Sequence, residues 1–209
     1  MARAFIVSSL FQPLLNVAVE NPPVVLNTDR LTIRRLRTND AQAYFAIFSD
    51  PAVMRYWSSP PLVDMAAAEQ KIIGILAHYE KNDLFQLAIE RQSDRLMIGT
   101  CTLHQIHLQN RRAEVGYALG SAFWGNGYLV EAMHSLIDHA FGVMHLHRLE
   151  ADIDPRNEAS AKSLERLGFN REGHLRERWI VDGEVSDSAV YGLLAREWAS
   201  KQQSQLNHK

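Results

Sequence analysis

The stretch SAFWGNGYLVEAMHSL, Ser121 to Leu136, sets Gly125 and Gly127 one residue apart directly ahead of a helical pattern. Leu129, Ala132, Met133, Leu136, Ile137, Ala140 and Phe141 fall on one stripe of that helix, so its start is fixed against a core. The first backbone N–H groups of a helix have no partner inside it, and with the helix dipole they make a site for an anion. Two residues without a Cβ let a phosphate approach such a backbone closely. The loop has no Lys-Ser or Lys-Thr pair, so it is not a Walker P-loop, and Val130 stands where a dinucleotide fingerprint needs its third glycine. Two readings stay open: a pyrophosphate held by backbone alone, or a glycine turn that caps a helix.

A second polar pair lies in DPRNEASAKSLERLGF. Asn157, Ser160, Leu164 and Leu167 share one helical face, while Glu158, Lys162, Glu165 and Arg166 face elsewhere. Gly168 fits the position just past the helix end, with Phe169 packing behind it. Buried polar groups need partners. Asn157 and Ser160 take theirs either from the helix itself, as N-cap and backbone bond, or from something outside it. Cys101 sits mid-strand with no evident base, which suits a structural thiol better than an acyl-cysteine nucleophile. His145 and His147 form an H-x-H with no third or fourth ligand at a helpful spacing, so no metal is expected.

These groups must be held by something, and the chain alternates strands with helices. LNTDRLTIRRL reads as a half-buried strand, with Leu31 and Ile33 alternating against polar residues. TND caps a helix from Ala41 to Phe48, which Asp50-Pro51 stops, and Asp64 caps DMAAAEQKIIGILAHYEKND. LFQLAIE, LMIGTCTLHQIHL and RAEVGYAL are three strands joined by the polar turns RQSDR and QNR, an antiparallel meander. The glycine loop leads to a helix from about Tyr128 to Val143. RLEADID is a strand and RNEASAKSLERLGF a short helix. HLRERWIV and SAVYGLL close the chain as a hairpin turning at Asp182-Gly183.

The chain has 209 residues, 46% of them hydrophobic, which suits one domain with a sizeable core. A net charge of −2 argues against a general nucleic-acid binder. The single cysteine allows no internal disulfide and points to a reducing compartment. No apolar run reaches the roughly 18 residues of a membrane-spanning helix. MARAFIVSSLFQPLLNVAVE lacks a basic start and a cleavage site, so it reads as an extension and not a signal peptide. The expectation is a cytoplasmic protein that binds neither membrane nor nucleic acid, with an extension at 1–25, a domain at 26–198 and a tail at 199–209.

The motifs EVGYALGSAFWGNGYLVEA, HRLEADIDPRNEASAKSLERLGF and DGEVSDSAVYGLL occur in the order and at the spacing of the GNAT acyltransferase superfamily, and the chain resembles its RimJ/RimL-like branch from about Leu26 to Trp198. The resemblance implies an α/β (α+β) fold: a mixed, twisted sheet of about seven strands, splayed into a V, in the order β-α-α-β-β-β-α-β-α-β-β. It implies acetyl-coenzyme A as donor, with no metal. By resemblance the backbone of Phe123, Trp124, Gly125, Asn126, Gly127, Tyr128 and Leu129 cradles the pyrophosphate. The strand end Tyr117, Ala118 and Leu119 pairs with the pantetheine arm, Asn157 bonds to that arm, and Ser160 sits near the thioester sulfur.

The implied reaction is direct attack of an amine on the thioester, which needs a neutral amine, a polarised carbonyl and a protonated leaving thiol. A backbone N–H near Ala118 or Leu119 would polarise the carbonyl, and Ser160 would donate to the thiolate. Many superfamily members use a tyrosine in this helix, where this chain has Leu164. Glu114, beside apolar Val115 and Tyr117, is a candidate base acting through water, or else an Arg112-paired strand residue. Glu177 in LRERW is a second candidate, with pairing to Arg176 or Arg178 as the alternative; some relatives carry the glutamate where Trp179 stands. Met54, Tyr56 and Trp57 form an aromatic cluster that walls the acceptor site in the family or belongs to the core. The branch implies a protein N-terminal α-amine, as on a ribosomal protein, with a polyamine or antibiotic-like amine as the rival acceptor. An acyl-CoA-binding module without turnover is the competing class. A homodimer is compatible with the sequence.

Overall fold

A computed structural model describes residues 25–81 and 84–206. The extension expected at 1–25 lies outside the described residues apart from Val25, as do residues 207–209 of the tail. Eight strands form one sheet: β1 (Val25–Asn27), β2 (Leu31–Arg35), β3 (Phe85–Arg91), β4 (Leu96–His107), β5 (Arg112–Leu119), β6 (Arg148–Ile153), β7 (Asn170–Val181) and β8 (Glu184–Leu194). Their order is β1-β2-β3-β4-β5-β6-β8-β7, and only the β5–β6 pairing is parallel. Six helices accompany them: α1 (Ala41–Phe48), α2 (Pro51–Met54), α3 (Met65–Lys81), α4 (Tyr128–Gly142), α5 (Glu158–Leu167) and α6 (Ala195–Leu206).

The mixed α/β architecture and the element sequence are as expected, with two differences. The first strand is a hairpin. Val25–Asn27 folds back on β2 through Thr28, whose N–H donates to the Leu31 carbonyl at 2.9 Å, which makes eight strands where about seven were expected. The boundary expected at residue 198 falls inside α6. Trp198 is buried there and donates its Nε1 to Asp138 on α4 at 2.7 Å, which ties the helix to the core.

Local signals account for the rest. Asp50 caps α2, accepting from the Ala52 N–H at 2.8 Å, and Pro51 occupies the first helical turn, where no N–H is needed. Asp64 accepts from the Ala67 N–H at 2.8 Å ahead of α3. Gly168 ends α5 at φ 99°, a left-handed cap that favours glycine. The stripe Ala132, Met133, Leu136, Ile137 and Ala140 on α4 is fully buried. α4 packs over β2 and β4 and against α5, while α1 and α3 pack together over β3 and β4. No described helix is long and apolar enough to cross a membrane.

His139 on α4 is buried, its Nε2 has no hydrogen-bond partner among the described residues, and burial lowers its pKa from 6.5 to about 4. The folded state therefore resists a proton that the unfolded chain accepts. Stability is complete above pH 6.5 and falls as pH drops toward 4, by at most about 3 kcal/mol. Denaturant titrations at intervals between pH 7 and pH 4 should show this decline, and His139→Leu should flatten it. An equal decline in the variant would assign the acid sensitivity elsewhere.

Candidate active site

The site begins where the sheet comes apart. β5 and β6 pair only at Arg112↔Arg148, Ala113↔Leu149 and Glu114↔Glu150. Both strands continue, β5 to Leu119 and β6 to Ile153, without further registered pairs. From Val115 onward the edge of β5 that turns toward β6 has no neighbouring strand, so its outward N–H and C=O groups face a gap. A cleft of about 480 Å³ occupies this splay. Glu114, Tyr117, Asp152, Asn157 and Ser160 line it, as do Met54 at the end of α2 and Tyr56 and Trp57 on the loop that follows. Met54 is also buried, so the cluster serves wall and core together.

Alternation along β5 divides the chemistry. Side chains three positions apart on a strand point to opposite faces. Tyr117 reaches α5, with its Oη 2.8 Å from Ser160 Oγ. Glu114 lies on the other face, beside its cross-strand partner His104, whose Nε2 is 4.0 Å from Glu114 Oε2. Burial raises the Glu114 pKa, with Asp152 and Glu150 adding to the effect, and burial lowers that of His104. Arg112 is not the Glu114 partner. It donates to Glu150 at 2.7 Å across the parallel pairing.

Asn157 is the N-cap of α5: its Oδ1 accepts from the Ser160 N–H at 3.1 Å. The amide –NH2 remains as the end of this side chain that can donate into the cleft. Ala118 and Leu119 are buried at the end of β5, and the Leu119 carbonyl accepts from Trp124 Nε1 at 2.7 Å. A Cβ on Gly99 would lie 2.4 Å from the Ala118 carbonyl oxygen, so glycine is needed there for β4 to lie against β5.

The loop Phe123–Leu129 does not line the cleft. It follows the open end of β5 and leads into α4. Gly125 and Gly127 adopt left-handed φ of 77° and 76°, and Gly127 caps α4 without a side-chain bond. The β1–β2 turn fixes this loop. Arg30 donates Nε to Glu131 Oε2 at 2.7 Å and Nη1 to the Asn126 carbonyl at 3.1 Å, and Thr28 Oγ1 donates to Glu131 Oε1 at 2.6 Å.

Glu177 does not reach the cleft, although Arg178 and Trp179 line it. β7 bulges between Leu175 and Trp179, and Glu177 sits in the bulge at φ 53°. Its N–H donates to Asp187 Oδ1 at 2.8 Å while its side chain is exposed. The strand does border the cleft, as expected, but the bulge turns the Glu177 side chain to solvent. Cys101 is fully buried and its thiol is pushed up to about 12, which leaves no reactive thiolate. His145 and His147 lie where α4 passes into β6, and no group of three or more described His, Cys, Asp or Glu residues could hold a metal ion. Sequence reading missed His104, Arg30 and the Tyr117–Ser160 contact. The alternation of β4 opposite β5 was the available signal for His104.

Beside this sheet, split at one parallel pairing, with a glycine loop beyond the split strand, stands a match of residues 30–170 to the family model described as acetyltransferase (GNAT) domain. The chain belongs to the GNAT family, on its RimJ-like branch, and is an N-acetyltransferase. It is 36% identical over 176 residues to the uncharacterized N-acetyltransferase p20 of Bacillus licheniformis, covering 83% of this chain and 98% of that one. It is 26% identical over 185 residues to the [ribosomal protein uS5]-alanine N-acetyltransferase of Escherichia coli, covering 85% and 94%. RimJ of Mycobacterium smegmatis, solved in complex with CoA-disulfide, superposes with a TM-score of 0.75 at 25% identity, covering 84% of this chain and 89% of that one.

Proposed function

We propose that this chain transfers the acetyl group of acetyl-CoA to the α-amine of a protein N-terminus, by direct attack of the amine on the thioester. The observation that carries the reading is the division of β5 at the splay. Glu114 and His104 stand on one face, and Tyr117 and Ser160 on the other. An amine arriving from the first face and a thiol leaving on the second need a proton acceptor and a donor in those two places.

The residues then take distinct tasks. The open edge of β5 near Ala118 and Leu119 pairs with the pantetheine amides and presents an N–H to the thioester carbonyl. The N–H groups of Phe123–Leu129 and the start of α4 bind the pyrophosphate. Asn157 donates its amide to the arm, and Ser160 donates to the departing sulfur. Glu114 takes the amine proton through water.

Two further observations support an α-amine. The relative from Escherichia coli acts on alanine of uS5 by its name. An α-amine, with a pKa of about 7.7–8.0, is roughly a tenth or more neutral at pH 7, whereas lysine at about 10.4 is not. A raised carboxylate acting through water is base enough for such a group. Asp154 and Glu184 pair with Arg156 and Asp152 with Arg178 on the cleft wall, and Glu114 and Asp182 add carboxylates beyond these pairs, a balance that favours a cationic acceptor before it loses its proton.

The test is a mass-read screen of N-terminal peptides, polyamines and aminoglycosides for acetyl-CoA-dependent product. Acetylated peptide α-amines are expected. Acetylation confined to polyamines would replace the acceptor and keep the mechanism. For the base, kcat/KM should rise with pH through an acid limb above the ordinary carboxylate range, because the Glu114 pKa is raised. Glu114→Gln should lower kcat about tenfold and remove that limb. An unchanged limb in the variant would take Glu114 out of the proton path.

A further inference from the structure

Ser160 is 8% exposed and held on three sides. Its N–H donates to Asn157 Oδ1 at 3.1 Å, its hydroxyl meets Tyr117 Oη at 2.8 Å, and its carbonyl lies 3.4 Å from the same phenol. A serine hydroxyl normally rotates to suit its surroundings, and it offers one hydrogen and two lone pairs. Tyr117 comes from strand β5, forty-three residues earlier, and its ring lies largely buried along the cleft wall. Burial holds its phenol up to about 12, so in neutral solution it keeps its proton. The phenol hydrogen has two Ser160 acceptors in reach, Oγ at 2.8 Å and the carbonyl at 3.4 Å, and the shorter contact is one that either hydroxyl could fill as donor.

We propose that Tyr117 is a positioning residue for the departure of the thiol: its O–H donates to Ser160 Oγ and turns the serine hydrogen into the cleft, toward the sulfur. This rests on the reading of Ser160 as the thiolate donor. With one lone pair occupied by the phenol, the serine hydrogen is directed away from Tyr117. A donor that is itself accepting a bond is polarised and donates more strongly. The proton count closes without ionising tyrosine. As the N–C bond forms, the amine nitrogen gives up one proton. As the C–S bond breaks, the sulfur takes its electron pair and then one proton returned through water. Tyr117 keeps its own proton throughout, and the Ser160 hydrogen bond carries the charge between those events.

The experiment is a double-mutant cycle of Tyr117→Phe, Ser160→Ala and the double variant. Acetyl-CoA is the donor and hydroxylamine the acceptor, because hydroxylamine is small and neutral at pH 7 and makes the result independent of the natural acceptor. CoA affinity is measured by calorimetry, and thermal midpoints are recorded for each protein. Phenylalanine keeps the ring and its packing, so the fold is retained. Tyr117→Phe should lower kcat about tenfold with KM for acetyl-CoA and CoA affinity nearly unchanged. The double variant should fall no further than Ser160→Ala alone, because the phenol acts only through the serine. Parental kcat in Tyr117→Phe beside an impaired Ser160→Ala would overturn the proposal, as would losses that multiply in the double variant. A loss of CoA affinity equal to the loss of rate would also overturn it, since that is the mark of a merely structural wall. Parental kcat in Ser160→Ala would instead remove the serine from the chemistry, a separate result that takes this inference with it.

Discussion

Gly127→Val should leave a folded protein that binds acetyl-CoA about a hundredfold more weakly, since losing even one or two charge-assisted bonds to phosphate at about 1.5–3 kcal/mol each is enough. The structure gives the reason a different form from the simple one of bulk. A Cβ on Gly127 would meet Arg30 Nη2 at 3.6 Å, an ordinary contact, and a Cβ on Gly125 would meet nothing within 4 Å. What a side chain upsets is the left-handed backbone, φ 76° at the α4 cap, which a branched residue adopts only with strain. The loop then relaxes and its N–H groups lose their common aim. Gly168→Ala serves as the control. It strains another left-handed position, at the end of α5, by about 1–2 kcal/mol, and should lower stability without touching affinity. Calorimetry on both variants decides. Unchanged affinity in folded Gly127→Val would remove the loop from coenzyme binding.

Ser160→Ala should lower kcat by about ten- to a thousandfold while acetyl-CoA affinity stays near the parental value. Negative charge appears on the sulfur only as the thiol leaves, so a donor to it acts on turnover and not on binding. Water entering the vacated space sets the lower end of that range. Asn157→Ala should behave differently, raising KM more than it lowers kcat, because a bond to the arm is made in substrate and transition state alike. It should also lose about 1 kcal/mol of stability with the α5 cap. Steady-state kinetics, coenzyme affinity and thermal midpoints on the two variants separate the roles. Parental turnover in Ser160→Ala, with turnover abolished in Asn157→Ala at unchanged affinity, would reverse them.

Features written in consecutive residues were legible before any coordinates. The stripe on α4, the glycine pair ahead of it, the Gly168 stop and the Asp182-Gly183 turn each depend on neighbours a few positions away. So does the Asn157 cap, which the sequence left open between helix and ligand and which the fold shows in use by the helix. Features that depend on two distant segments were not legible. The β1–β2 hairpin is a local exception, missed because LNTDRLTIRRL reads as one strand with no turn at Thr28. His104 gains meaning only from standing opposite Glu114. Tyr117 was placed on the coenzyme's strand, but nothing in EVGYAL says that α5 will bring a serine to its hydroxyl. Glu177 failed for a local reason of another kind: a bulge inserts extra residues and resets the two-residue period by which a strand face is read.

An ion pair crosses the seam between β5 and β6 and runs on along β6 to β7. Arg112 reaches Glu150 at 2.7 Å, Glu150 takes Arg148 Nε at 2.8 Å, and Arg148 continues through Nη1 to Glu172 at 3.0 Å. Gly192 makes this crossing possible, because a Cβ there would lie within 2.6 Å of both Arg148 and Glu172. On either side of the line the sheet is knit by long antiparallel ladders. The two ladders meet at three residue pairs, of which Ala113↔Leu149 is fully buried and Arg112↔Arg148 and Glu114↔Glu150 carry the charge. These side chains are partly exposed, so dissolved salt screens them while leaving the buried ladders alone. Dissolved salt therefore weakens the Arg112–Glu150 tie at the closed end of the cleft sooner than the apolar pair beside it.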